Sequence, residues 1–294
     1  MSLSLLSITI GINPNMFDAW NLILTWHGFF TFIAVAMAVY LVTRWGKNNG
    51  MVTDAIHSVA VWAILGGIIG ARLFHVIDFW SDIYGPSPAQ IFKVWQGGIS
   101  VYGAVLGGFA GGAIYMWTRN HPVFLSVWAK LGGKPVEAPL PTIGALADVS
   151  APAVVLAMAV GRIGDIINGE HFAKATKLPW GFIYEHPATQ ALYARHGLNA
   201  LAATHPAVVY EMIWDLVVFG VVWALRTRIR PPGMIFALFL ALYSAGKFFI
   251  SYLRLDNEWA MGLREAQFVA IAVMAITIPL LVFKAKRTKP GTTK

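Results

Sequence analysis

The chain has 294 residues, 57% hydrophobic and only 12% charged, whereas soluble domains carry about a quarter charged residues. That balance excludes a soluble globular domain and a disordered chain alike. The chain has no Cys, which excludes disulfides, thiolate metal sites, a cysteine nucleophile and lipid attachment to a Cys of its own. The net charge of +8 is accounted for below by membrane orientation, so no nucleic-acid partner is expected.

A membrane-spanning helix needs about 20 predominantly apolar residues. Seven runs qualify, at residues 20–43, 55–77, 98–118, 143–167, 207–225, 233–253 and 264–283. They are separated by turn and helix-stop clusters: Asn48-Asn49-Gly50, Gly85-Pro86-Ser87-Pro88, Gly132-Gly133-Lys134-Pro135 and Arg230-Pro231-Pro232-Gly233. The expected fold is an all-α polytopic membrane protein with seven transmembrane helices, a single integral membrane domain over residues 1–294. Residues 168–206, between spans four and five, are too long for a tight turn and are read as an external insert.

Thirteen of the 22 Lys and Arg fall in the loops after spans one, three and five and in the tail from Lys284 to Lys294. The positive-inside rule then puts the N-terminus outside and the C-terminus in the cytoplasm. The first 19 residues lack a basic segment, so the first span is expected to stay in place rather than be cleaved as a signal peptide.

Gly66, Gly67 and Gly70 in span two and Gly103, Gly107, Gly108, Gly111 and Gly112 in span three recur mostly at spacings of three to five. Small residues in that pattern let helices approach closely in lipid. Ionisable groups inside spans cost free energy unless they face a partner, a cavity or an interface. Six carry most of the information: Arg72 and His75 in span two, Asp148 and Arg162 in span four, Lys247 in span six and Arg254 just beyond it. Arg72 and Arg254 fit either a ligand clamp or snorkelling to headgroups. Arg162 lies in Gly161-Arg162-Ile163-Gly164-Asp165-Ile166-Ile167-Asn168-Gly169-Glu170, where positions 162, 165 and 168 share one helical face. The Arg and Asp there either pair with each other or frame an anion site.

This ten-residue segment resembles the motif G-R-x-G-N-x-x-N-x-E of the bacterial prolipoprotein diacylglyceryl transferases. Trp26-His27-Gly28 is similar to the family's W-Y-G, and Gly70-Ala71-Arg72-Leu73-Phe74-His75-Val76 to its G-x-R-x-x-x-V. Trp95-Gln96-Gly97-Gly98-Ile99-Ser100-Val101-Tyr102-Gly103 resembles W-x-G-G-x-x-x-H-G. His205-Pro206 with Tyr210-Glu211 resembles H-P-x-x-x-Y-E. The resemblance implies seven spans in the bacterial plasma membrane and transfer of diacylglyceryl from phosphatidylglycerol to the lipobox Cys thiol of a preprolipoprotein. The expected partners are therefore phosphatidylglycerol, preprolipoprotein signal peptides and the bilayer.

Such a reaction needs fixed cations for the phosphate and a base for the thiol. The residues read as catalytic are His27, Tyr102, Arg162, Asp165 and Arg254, with Arg162 and Arg254 suited to phosphate by their planar donor forks. Those read as substrate-binding are Arg72, Asn168, Glu170, Tyr210, Glu211, Tyr243 and Lys247, and Glu170 is a candidate to hold Arg162 or Lys247 in place. His27 is either an interfacial hydrogen-bonding residue or the thiol base. Tyr102 suits hydroxyl donation to a lipid oxygen better than base catalysis. Eight His occur without an H-E-x-x-H or H-x-x-H pair, so no metal and no cofactor are expected.

Five positions depart from the family's pattern: His27 stands for Tyr, Tyr102 for His, Asp165 for Asn, Lys247 for Arg and Ser251 for an acid. Arg and Lys are not interchangeable at a bidentate phosphate site. A non-catalytic or differently specific lipid-binding relative is thus the alternative. A small transporter is disfavoured because the charges cluster toward one end of the spans, with no inverted repeat.

Overall fold

The computed structural model of the chain describes residues 7–19, 22–93, 98–119, 121–132, 140–256 and 258–288. Of the family-like stretches, Trp95, Gln96 and Gly97 lie outside them. Near the N-terminus, β1 (Ile8–Ile10) precedes a hairpin of β2 (Asn15–Ala19) and β3 (Leu22–Thr25). The hairpin delays the first helix to α1 (Trp26–Asn48), later than the hydropathy run suggests. Thr25 sets that start, its hydroxyl accepting from the Gly28 N–H at 3.1 Å as an N-cap does. Then follow α2 (Thr53–Asp78), two short irregular turns at Trp80–Tyr84 and Pro88–Phe92, α3 (Val101–Thr118), α4 (Pro122–Lys130) and α5 (Ile143–Asn168). β4 (Phe182–Tyr184) and α6 (Pro187–Arg195) lie between α5 and α7 (Ala207–Leu225). The chain continues through β5 (Ile229–Arg230), α8 (Met234–Ile250), β6 (Glu258–Ala260), β7 (Leu263–Arg264), α9 (Glu265–Lys284) and β8 (Lys286–Arg287).

Six helical segments among the described residues are long and apolar enough to cross a membrane: Trp26–Asn48, Thr53–Asp78, Ile143–Asn168, Ala207–Leu225, Met234–Leu253 and Glu265–Lys284. The protein is therefore predominantly helical and polytopic. The seventh expected span corresponds to α3, whose 18 residues include five Gly that add little hydropathy, which leaves it outside the set.

By packing, the chain forms two compact units, Val39–Val149 and Met1–Ala38 with Ser150–Lys294. In the first unit, α2 and α3 pack along their glycines. A Cβ on Gly70 would meet the backbone of Gly103 and Gly107, and one on Gly107 would meet Gly66 and Gly70. The approach is thus backbone to backbone, as the glycine spacing predicts. Ile56, Val59, Tyr115 and Leu146 form this unit's buried cluster, with Trp62 stacked on Tyr115 at 5.6 Å between ring centroids.

In the second unit, residues 168–206 fold rather than trail. β1 pairs in parallel with β4, and Ile10, Phe182, Tyr184, Tyr193 and Ala200 make a small core beneath them. Burial pushes the Tyr193 hydroxyl up to about 12, so it stays a neutral hydrogen-bonding group. Gly169, at φ +70°, closes α5 by donating its N–H to the Asp165 carbonyl at 3.1 Å, a conformation that suits Gly at a helix end. The chain then turns into a strap that pairs with the residues after α8. The Lys174 N–H donates to the Leu253 carbonyl at 2.8 Å and the Leu255 N–H to the Phe172 carbonyl at 3.0 Å.

Candidate active site

The second unit holds a buried ionic network built from α1, α5, α7, the end of α8 and the strap. Helix α5 supplies Arg162 and Asp165, which pair at 2.9 Å, as their i, i+3 spacing allows. Gly164 lets α1 close onto α5: a Cβ there would lie 2.7 Å from both His27 Cα and the Trp26 carbonyl oxygen. This approach sets His27 Nδ1 2.5 Å from Asp165 Oδ1.

Helix α7 contributes Glu211, only 3% exposed, which joins three cations. Its carboxylate meets Arg162 Nη2 at 2.6 Å, Lys247 Nζ at 2.6 Å and Arg254 Nη1 at 3.5 Å. Arg254 also grips Asp256 through Nε at 2.7 Å and Nη2 at 2.8 Å. Burial pushes the Asp256 carboxyl up, but Arg254 outweighs it and holds the group below the usual carboxylate range. Burial likewise disfavours charge on Arg254, yet Asp256 and Glu211 raise it above its ordinary value, so it remains a cation. Asp215, one turn beyond Glu211, is 1% exposed and lies within electrostatic range of Arg162, Glu211 and Lys247.

The sequence expectations divide on this geometry. Arg162, Asp165, His27, Glu211, Lys247 and Arg254 converge. Glu170 does not hold Arg162 or Lys247; its carboxylate accepts from the Asn168 side-chain amide, and Glu211 performs the holding. The reason is local: Gly169 ends α5, so Glu170 leaves the helical face carrying Arg162. Tyr243 is buried one turn before Lys247, with its ring 6.1 Å from Phe239. The Tyr210 hydroxyl accepts from Trp180 Nε1 at 2.9 Å. Ser251 donates its hydroxyl to the Lys247 carbonyl at 2.7 Å, a short-range contact in place of the family's acid.

Arg72 and Tyr102 belong to the first unit. Arg72 donates from Nε to the Ile91 carbonyl at 2.9 Å and from Nη1 to the Gly98 carbonyl at 2.9 Å, while Nη2 donates to the Gln90 carbonyl at 2.5 Å. It thereby fastens the turn that follows α2. Tyr102 is buried in the first turn of α3. His75 meets the Tyr84 hydroxyl at 3.1 Å, and Asp148 is half-buried on α5.

Three of these residues are absent from the sequence reading: Asp215 on α7, Asp256, and His171 on the strap. His171 Nε2 lies 3.3 Å from Asp165 Oδ2 and its Nδ1 lies 3.0 Å from Arg254 Nη2. The three-residue spacing of Arg162, Asp165 and Asn168 runs on to His171 in the sequence, but α5 ends at Asn168, so helical periodicity does not place His171.

A family model described as prolipoprotein diacylglyceryl transferase matches residues 14–132 and 136–283. The chain belongs to that family. Relatives named phosphatidylglycerol--prolipoprotein diacylglyceryl transferase include one from Synechocystis, 34% identical over 90% of this chain and 86% of its own. Another, from Symbiobacterium thermophilum, is 29% identical over 94% of each chain. A third, from Nostoc, is 29% identical over 99% of this chain and 95% of its own. Within the prolipoprotein diacylglyceryl transferase pattern, three of the five departures, at 27, 165 and 247, are members of the ionic network, and Ser251 bonds to the backbone of Lys247.

Proposed function

We propose that the protein transfers the diacylglyceryl group of phosphatidylglycerol to the lipobox Cys thiol of a preprolipoprotein, in the bacterial plasma membrane. The observation that carries this reading is the Arg162-centred network, in which two guanidiniums sit beside a His–Asp pair within one unit. The thiol gives its proton to His27 Nε2, since His27 Nδ1–H donates to Asp165 and leaves the other nitrogen as acceptor. The sulfur then attacks the glyceryl carbon bearing the phosphate. A C–S bond forms and the C–O bond breaks, and glycerol 1-phosphate departs with the bonding electron pair, taking up the proton held by His27.

Arg162 and Arg254 suit the phosphate at both stages. Each guanidinium has five N–H donors, so carboxylate partners hold it in place while other donors face the ester. Fixed donors aimed at developing charge stabilise the transition state without reorganisation. Lys247, paired with Glu211, adds positive charge as a point cation. Tyr102 and Arg72 are assigned to the lipid from the resemblance, as are Tyr210, Tyr243, Asn168 and Glu170. The glycine-packed pairing of α3 with α2 and the positive-inside distribution of Lys and Arg support seven spans, an outside N-terminus, a cytoplasmic C-terminus and an external insert at 168–206.

The test is mass spectrometry of a synthetic lipobox peptide incubated with the purified protein and phosphatidylglycerol. A diacylglyceryl mass shift that Arg162→Ala abolishes is expected. Absence of any shift with folded wild-type protein overturns the assignment in favour of a lipid-binding relative.

A further inference from the structure

His171 links the two halves of this network, and its tautomer follows from its neighbours. Arg254 Nη2, 3.0 Å from Nδ1, can only donate, so Nδ1 must accept. The ring proton therefore resides on Nε2, where it points at Asp165 Oδ2, 3.3 Å away. Asp165 thus receives Arg162 and His171 on one oxygen and His27 on the other. Arg254, His171, Asp165 and His27 thus form a continuous line of polar contacts, with Arg254 donating to His171 and both histidines meeting the Asp165 carboxylate, all within one unit.

The fold builds this line deliberately into its backbone. Phe172 and Lys174 pair with Leu255 and Leu253, and Ala173 bridges Arg254, so His171 is delivered beside the guanidinium by a short antiparallel ladder. Phe172 anchors the strap, its ring 4.8 Å from Tyr193 and 4.6 Å from His196. The His171 side chain is 24% exposed, less than the 32% of His27, which suits an internal connector.

We propose that His171 is a positioning residue that fixes the carboxylate of Asp165, and through it the thiol base His27, to the phosphate clamp Arg254. The inference rests on the transferase reading. His171 touches neither thiol nor lipid in this role; it holds Asp165 so that the His27 Nδ1–H is engaged and Nε2 faces the thiol. Removing it releases one donor from Asp165 and one acceptor from Arg254 at once. An acyl-transfer triad relies on the same logic, a base kept in one orientation and tautomer by a carboxylate that is itself held.

The experiment compares wild type, His171→Ala and His171→Gln in detergent with phosphatidylglycerol and a lipobox peptide. The expected result for His171→Ala is a kcat lower by about tenfold or more, the scale of one lost hydrogen bond to a charged group, with KM for phosphatidylglycerol unchanged. His171→Gln, which retains an acceptor and an N–H donor, should recover much of that loss. Introducing His171→Ala into Asp165→Asn should cost little further, because both act on one line. Wild-type kcat in His171→Ala overturns the proposal, as does a raised KM with kcat intact, since that places His171 on the lipid clamp alone. If His171→Ala fails to fold, the Gln variant decides: kcat near wild type supports the proposal, and a large loss overturns it. An inactive wild type instead overturns the transferase reading on which the proposal stands.

Discussion

His27 Nδ1 lies 2.5 Å from Asp165 Oδ1, joining the first turn of α1 to the last turn of α5. The motifs that these two positions resemble carry Tyr and Asn there. The two positions meet in space, and in this chain they form an ionisable pair.

Asp165→Asn restores the family's residue at one position yet should disable this chain, since the amide cannot accept from Arg162, His171 and His27 as a carboxylate does. The expected loss in kcat is about a hundredfold or more, the range associated with a positioned general base. Combining His27→Tyr with Asp165→Asn should recover part of what either single change loses. Steady-state transfer assays on the four proteins check this, and simple additivity would contradict the coupling.

Glu211→Ala leaves Arg162, Lys247 and Arg254 without their shared carboxylate at a site 3% exposed. Breaking a buried ion pair by removing one partner costs about 3–5 kcal/mol. A clear fall in the thermal unfolding midpoint in detergent is expected, and an unchanged midpoint would refute the central place given to Glu211. Lys247→Arg, although it restores a family residue, should lower activity because the larger side chain must fit a site already closed around a 2.6 Å contact.

The glycine seam gives a prediction of stability alone. Gly70→Val places methyl groups against the Gly103 and Gly107 backbone and should destabilise by about 1–3 kcal/mol or more. Gly220→Ala on α7, where an added Cβ meets nothing within 4 Å, should stabilise by up to about 1 kcal/mol through helix propensity. Opposite shifts in the unfolding midpoint are the expected readout.

Asp256 supplies a pH dependence. Its carboxyl is held below the ordinary value by Arg254, so the stability it contributes is present above about pH 4, near the unfolded value. It is lost as pH falls through the lower folded value. The side chain is 37% exposed, so solvent screening keeps the effect modest. Asp256→Asn should be less stable than wild type at neutral pH, with the gap closing in acid.

The helices were legible because apolar runs in lipid announce themselves, and the glycine spacing marked spans two and three for close helix packing. Arg162 and Asp165 were legible because both lie on one helical face. Glu211's role as the shared carboxylate was not, since its three cations come from α5, α8 and the segment beyond, and only packing brings them together. His171 was missed because it reaches Arg254 through backbone pairing between segments about 80 residues apart, and Asp256 because its carboxylate links to Arg254, two residues before it beyond the end of α8. The strand just ahead of α1, Leu22–Thr25, was hidden because it is as apolar as the helix that follows.

The most direct test of the account follows phosphorus during transfer. With wild-type protein, phosphatidylglycerol and a lipobox peptide, phosphorus NMR should record a phosphodiester converting to a phosphomonoester in step with thioether formation. His27→Ala and Arg162→Ala should each suppress both signals. Wild-type rates in His27→Ala would place the thiol base elsewhere and contradict the site described.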